Sequence, residues 1–323
     1  MKYIVTGGAG FIGSHLVEKL LVNKHQVVVV DDFSTGFKRF LPDNKNLQVI
    51  EVDISDWGEL SKNSSYFKDA DGVFHLAAKA RIQPSILSPH RTHDCNITGT
   101  LNILEMMRMC DIKSIVYSAS SSSYGLVPEL PCVETAEADC QTPYALSKYV
   151  GELYCKTWSK LHGIRSVCLK YFNVFGRRSP LQGPYAPVIG LFLRQGFLNQ
   201  PITVIGDGEQ KRDFTHVSDV ASANILAMES EIDGLTINIG TGKNHTINEV
   251  AGLVQASLAR LKETTRIYLP ERIGETQETL ADNTRAKELL KWTPNVYLAE
   301  GINDLVKYYS DNIEELSKAR PVL

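Results

Sequence analysis

The stretch PYALSKYV, residues 143–150, sets a tyrosine and a lysine four positions apart. On a helix those positions share a face, so the Tyr144 phenol and the Lys148 ammonium can meet one ligand. An ammonium near a phenol favours the phenolate and draws its pKa from about 10 toward the range of a general base. Ser120, the last residue of the apolar run SIVYSAS (114–120), adds a hydroxyl that can bond the same oxygen. By itself this spacing usually marks two structural side chains, so the surrounding elements decide.

A second group of residues points to a dinucleotide. TGGAGFIG, Thr6 to Gly13, places Gly7, Gly10 and Gly13 three apart, and Gly8, Gly10 and Gly13 also satisfy GxGxxG. The motif follows an apolar run, opens the amphipathic stretch FIGSHLVEKLLVN, and is followed 18 residues after Gly13 by Asp31 at the end of the next run. Such a turn offers backbone amides and a helix N-terminus to a pyrophosphate, and Asp31 accepts from the adenosine ribose hydroxyls. A carboxylate there repels a 2′-phosphate, and the next residue is Asp32 rather than an arginine. The expected cofactor is NAD rather than NADP.

The elements that must carry these groups are short, β-branched apolar runs: KYIVT (2–6), QVVVVD (26–31), LQVIEVD (47–53), GVFHLAA (72–78), SIVYSAS (114–120) and SVCLKYFN (166–173). Amphipathic stretches such as NITGTLNILEMMRMC and PYALSKYVGELYCKTW lie between several of them. Apolar strands alternating with helices predict an α/β fold, a doubly wound parallel sheet covered on both faces. Ligands sit at the strand C-terminal ends of such sheets, which puts Ser120 on the cofactor side. After about residue 175 the rhythm loosens into Gly- and Pro-rich loops, shorter helices and isolated strands such as PITVIG and LTINIG. We therefore expect a Rossmann domain over 1–175 and a smaller substrate domain over 176–323, with LTINIG able to return to the sheet.

Composition narrows the partners. A net charge of −3 supplies no basic footprint for nucleic acid or an anionic membrane. No apolar stretch approaches a membrane span and the N-terminus lacks signal-peptide features, so a cytoplasmic protein is expected. The six cysteines never form CxxC and the eight histidines never form HExxH, so no metal is expected. His75 reads as a satisfied core histidine and His216 as a helix opener or cap.

In chain order, TGGAGFIG, HLAA (75–78), Asn96 in NITGT, SASSSSYG (118–125), YALSK, KYFNVFG (170–176), GDGEQKRDFTHVSDV (206–220), INIGTG (237–242) and ERIGETQETLAD (271–282) resemble the extended short-chain dehydrogenase/reductase family, specifically its nucleotide-sugar 4-epimerases. VFGRRSPLQGPYAPVI is most similar to the UDP-N-acetylglucosamine 4-epimerases within it. The resemblance covers nearly the whole chain. It implies that Tyr144 takes the proton of the sugar 4-hydroxyl while hydrogen passes from C4 to NAD, and that the 4-keto sugar turns over and is reduced on its other face. Lys148 would lower the Tyr144 pKa and hold the nicotinamide ribose, and Ser120 would relay the proton. Cofactor contacts would come from Gly7, Gly10, Phe11, Ile12, Gly13, Asp31, Asp32, Asp53, Ile54, Leu76, Ala77, Ala78, Asn96, Tyr144, Lys148 and Tyr171. The UDP-sugar would be held by Ser121, Ser122, Asn173, Val188, Arg212, Arg272 and Thr279.

Thr279 is the position expected to read sugar size, because a Tyr there in related enzymes excludes a 2-acetamido group. The expected reaction is 4-epimerisation of UDP-GlcNAc and UDP-GalNAc, with UDP-glucose and UDP-galactose also admitted. The resemblance further implies tightly retained NAD and a homodimer built on the helices carrying NITGTLNILEMMRMC and PYALSKYV. Ile273 and Ser123 depart from the usual pattern without removing a catalytic group. A dehydratase or decarboxylase would carry an acid after the catalytic serine, where Ser121, Ser122 and Ser123 stand. A UDP-glucuronate 4-epimerase, with Arg81, Arg177 or Arg178 pairing the carboxylate, is the nearest rival activity, and a non-catalytic NAD-binding protein is the most distant. For Lys79 and Arg81, ligand contact and a solvated loop stand level.

Overall fold

A computed structural model describes residues 1–181, 186–259, 261, 264–271 and 276–317. Its large sheet is built from β1 (Lys2–Thr6), β2 (Gln26–Asp31), β3 (Leu47–Glu51), β4 (Gly72–His75), β5 (Ser114–Ser120), β6 (Arg165–Tyr171) and, from much later in the chain, Leu235–Ile239. The short strands β7 (Asn173–Phe175), β8 (Ile202–Ile205) and β9 (Lys211–His216) precede that last strand, which is β10; β11 (Asn244–Thr246) and β12 (Arg266–Leu269) follow it. The seven-stranded sheet runs β10-β6-β5-β4-β1-β2-β3 and is parallel throughout.

The apolar runs form strands because helices cover both faces, so most side chains in them are buried; in QVVVVD only Gln26 is exposed, whereas the edge strand β3 buries only Ile50. Helices Phe11–Val22 and Val217–Glu229 cover one face through Leu16, Leu20, Val220 and Ala223. Gly99–Met109 and Pro143–His162 cover the other through Ile103, Leu104, Met107 and Cys155. The strand order reverses at β1, next to β4, and the crevice at that switch point is where a doubly wound sheet takes a ligand.

LTINI becomes β10 and pairs with β6 from Leu235↔Val167 to Ile239↔Tyr171, so the chain returns to the large sheet late. The other small strands form the β11-β9-β7 and β12-β8 sheets. Around them packs a separate core of Phe175, Phe192, Phe214, Val250 and Ile302. The run SVCLKYFN breaks at Phe172, whose N–H bonds the Ile239 carbonyl at 3.2 Å, and Asn173 then starts β7 beside β9. That break carries Asn173 out of the large sheet toward the small one. We propose that the sugar-binding unit is the part of 176–323 left after β10 and helix Val217–Glu229 are assigned to the large sheet.

Candidate active site

The turn after β1 is shaped by two glycines. Gly7 has φ 68°, and a Cβ on it would lie 2.7 Å from the Ala77 nitrogen on the neighbouring strand end. A Cβ on Gly13 would lie 2.1 Å from the Gly7 carbonyl oxygen. The first helix therefore starts close against the strand, with Gly10 as its extended N-cap. Asp31 ends β2 and accepts the Ala9 and Phe33 N–H groups, both at 2.9 Å. Burial pushes its pKa up against these bonds.

Next to it, burial raises Asp32, but bonds from Ser34 and the Lys79 ammonium outweigh this and leave the carboxyl below its ordinary range. Lys79 Nζ lies 3.1 Å from Asp32 Oδ2 and bonds Ser34, tying the end of β4 to the end of β2. Asp53 accepts the Ser55 N–H at 2.8 Å, and Ile54 is buried beside it. The run GVFHLAA leaves the sheet after His75, so Leu76, Ala77 and Ala78 form cleft wall rather than strand. A glycine turn that has no room for a Cβ, next to a carboxylate at the strand end, fits the pyrophosphate and adenosine ribose of NAD.

Ser120, Tyr144 and Lys148 converge on the same cleft, of about 1040 Å³. That slightly exceeds the roughly 300–1,000 Å³ of an ordinary small-molecule site, as two extended ligands require. Helix Pro143–His162 begins with Pro143 and is capped by Thr142, whose hydroxyl accepts the Ala145 N–H at 3.2 Å. Lys148 is 4% exposed and its Nζ lies 4.7 Å from the centre of the Tyr117 ring. Burial lowers its pKa to about 8.

For Tyr144 the structure corrects the expected depression by lysine. Burial is the largest influence and raises the phenol, while the Ser120 hydroxyl and the Arg81 guanidinium pull it down. Ser120 Oγ also lies 2.9 Å from Ser122 Oγ. Tyr171, also on the cleft, bonds Ser118 at 3.0 Å and Asn224 at 2.9 Å.

Ser121, Ser122, Asn173, Val188, Arg212 and Thr279 line the other end of the cleft. Asn173 Nδ2 donates to the Asp213 carbonyl and to Thr279 Oγ1, each at 3.3 Å. Arg212 projects from β9 and donates to the Lys211 and Gln277 carbonyls at 2.9 and 3.2 Å. Arg272 and Ile273 lie outside the described residues.

Asn96 is placed differently from expectation. It is 1% exposed and stands behind the cleft wall, with its amide accepting the Lys79 N–H at 2.8 Å and donating to the Lys79 carbonyl and Ser147 Oγ. Its burial between two elements makes it a brace for the Lys79 loop. His75 is a satisfied core residue, 2.6 Å from Thr6 Oγ1 and 2.9 Å from Thr100 Oγ1, and His216 caps helix Val217–Glu229. Leu104 and Met107 are buried against the sheet, and Leu146, Leu153 and Leu161 are exposed apolar residues of helix Pro143–His162.

Sequence reasoning missed Phe33, Phe37 and Phe40, which line the cleft from the loop after β2, and Ser85, which accepts the Tyr144 N–H at 3.1 Å. Arg81, left level between ligand contact and a solvated loop, lines the cleft with Tyr144. An apolar cluster beside Asp31–Asp32 was the available signal for the three rings.

Fold and cleft together define a nicotinamide-dependent enzyme of the short-chain dehydrogenase/reductase type. The sequence pattern of the NAD dependent epimerase/dehydratase family matches residues 3–240, and the chain belongs to that family. A Methanocaldococcus jannaschii protein with a provisional UDP-glucose 4-epimerase name is 40% identical over 96% of this chain and 98% of its own length. The crystal structure of a Thermotoga maritima UDP-glucose 4-epimerase with UDP-glucose superposes with a TM-score of 0.91 at 36% identity, covering 97% of this chain and 100% of that one. A UDP-N-acetylglucosamine 4-epimerase from Methanobrevibacter ruminantium M1, in complex with UDP-N-acetylmuramic acid, superposes with a TM-score of 0.90 at 35% identity, covering 96% and 98%. Among the described residues no helix is long and apolar enough to cross a membrane and no acid, histidine and cysteine cluster could hold a metal.

Proposed function

We propose that this enzyme interconverts the C4 epimers of a UDP-2-acetamidohexose, UDP-GlcNAc and UDP-GalNAc, and also admits UDP-glucose. The observation that carries the reaction is the convergence of Ser120, Tyr144 and Lys148 on one cleft with the Gly7–Gly13 turn and Asp31. Tyr144 takes the proton of the sugar 4-hydroxyl and returns one to the 4-keto oxygen. Ser120 holds that oxygen by its hydroxyl, and Lys148 orients the ribose on the cofactor side. Bound NAD supplies the redox chemistry at C4 and ends each cycle in its starting form, which favours its retention through turnover.

At the other end, Asn173 and Arg212 bind the diphosphate, and Val188 covers the nucleotide. The small Thr279, held by Asn173 and the Asp213 N–H, leaves room for the acetamido group. The exposed Leu146 and Leu153 support a homodimer through helix Pro143–His162.

Proton NMR of the purified protein with UDP-GlcNAc, UDP-glucose and UDP-glucuronate, without added NAD, tests this. Growth of UDP-GalNAc signals is the expected result. Conversion of UDP-glucuronate alone would transfer the assignment to an acidic sugar, and loss of carbon dioxide or a stable keto product would transfer it to the lyases.

A further inference from the structure

We propose that Arg81 is a positioning residue for this reaction: its guanidinium is the permanent charge partner of the Tyr144 phenolate, a second cation beside Lys148. The inference rests on Tyr144 being the base. Arg81 stands in extended conformation, φ −171° and ψ 141°, immediately before helix Ile82–Leu87. One turn further, Ser85 is 1% exposed, and its hydroxyl both donates to the Ile82 carbonyl at 2.6 Å and accepts the Tyr144 N–H at 3.1 Å. This bond fixes the segment carrying Arg81 against the start of the helix carrying the base. Both side chains line one cleft with Ser120 and Lys148.

Among the described residues no carboxylate pairs with Arg81. The acids on the cofactor side are engaged elsewhere: Asp31 with Ala9 and Phe33, Asp32 with Lys79 and Ser34, and Asp53 with Ser55. Burial is the larger influence on both groups, raising the Tyr144 phenol and lowering the Arg81 guanidinium, and against it each favours the charged form of the other.

The other groups around the pair do not replace this cation. Lys148, on the base's own helix, leans over Tyr117 of β5 and loses its charge at about pH 8. Tyr117 itself is held neutral by burial. From β4, His75 is neutral, its pKa pushed down to about 3 by burial and Lys148. From β6, burial raises Tyr171, and from the segment before helix Gly99–Met109 it raises Cys95 to about 11. Arg91 lines the cleft from helix Pro89–His93 and is exposed. A guanidinium keeps its charge across the working range, so Arg81 supports the phenolate at neutral pH, where an unassisted phenol stays protonated. Between groups buried in protein such a fixed cation acts more strongly than in bulk solvent.

Two readouts test this. Phenolate absorbance is titrated in wild type and Arg81→Met, each with the Tyr144→Phe background subtracted. In parallel, kcat/KM is followed against pH with UDP-GlcNAc and with UDP-glucuronate. We expect Arg81→Met to move Tyr144 ionisation to higher pH and to lower kcat/KM for UDP-GlcNAc roughly tenfold at neutral pH, with the loss shrinking as pH rises, while Arg81→Lys restores most of it. An unmoved titration overturns the inference; if the loss is then confined to UDP-glucuronate, Arg81 reads a substrate carboxylate. If Arg81→Met fails to fold, Arg81→Gln carries the same comparison. If wild type turns over no sugar, the proposed reaction fails, and the titration still decides the role of Arg81.

Discussion

The two ends of the cleft are made of different material. At the end we assign to the cofactor the wall comes from the first half of the chain, the Gly7–Gly13 turn, the ends of β2 and β3, the Phe33, Phe37 and Phe40 rings, and Leu76–Ala78 after β4. The end we assign to the sugar draws on separate segments, with Ser121 and Ser122 after β5, Asn173 on β7, Val188 on a helix, Arg212 on β9 and Thr279 on a loop. Where Gly7 and Gly13 leave no room for a Cβ, the cofactor end cannot be substituted without moving the strand ends, which suits one fixed ligand. A wall of side chains can be retuned one residue at a time without disturbing the sheet.

The comparison breaks most visibly at Tyr144, which lies between the two ends. Tyr144→Phe is expected to cut kcat on the order of 10²- to 10⁴-fold while the NAD content of the purified protein stays unchanged. Loss of both would mean that the ends are not separable. At the backbone end, Gly13→Ala pushes a methyl to 2.1 Å from the Gly7 carbonyl. It should destabilise the fold by about 1–3 kcal/mol and empty the cofactor site, read by thermal melting with and without NAD. At the side-chain end, Thr279→Tyr should leave the melting temperature alone and lower the preference for UDP-GlcNAc over UDP-glucose by roughly 10- to 200-fold.

The pH dependence sharpens the electrostatic side. Lys148 has its pKa lowered from 10.5 to about 8 by burial, so the unfolded chain binds the extra proton between those values. The penalty for burying the ammonium is fully present below pH 8, and stability contributed by this site rises as pH climbs from 8 toward 10.5. Urea melts of wild type against Lys148→Met should show that slope in wild type alone, while kcat falls over the same range. The smallest effect is expected at Lys79→Ala. Its bridge to Asp32 is between side chains 23% and 31% exposed and is worth at most about 1 kcal/mol, or a few-fold faster NAD release.

This contrast also explains what could be read from the chain. The cofactor end was legible because its signals are local: glycines at fixed spacing, an acid at the next strand end, and continuous apolar runs that match β1 to β6. Ser120 was placed correctly at the end of β5 because strand order alone determines it. The return of Leu235–Ile239 to the sheet was left open, since the pairing partner Val167–Tyr171 lies far back in sequence. Asn96 looked like a ligand contact because its spacing does not say which way an amide faces once Ser147 and the Lys79 main chain compete for it. The ionisation of Tyr144 was misjudged for a related reason. Spacing puts Lys148 near it, but burial depth and the arrival of Arg81 from another element are tertiary facts.

The central claim, that C4 loses and regains its own hydrogen within one cleft, is tested most directly with UDP-GlcNAc carrying deuterium at C4. The account predicts that the UDP-GalNAc formed keeps the label at C4. Epimerised product with that label lost to solvent would contradict it.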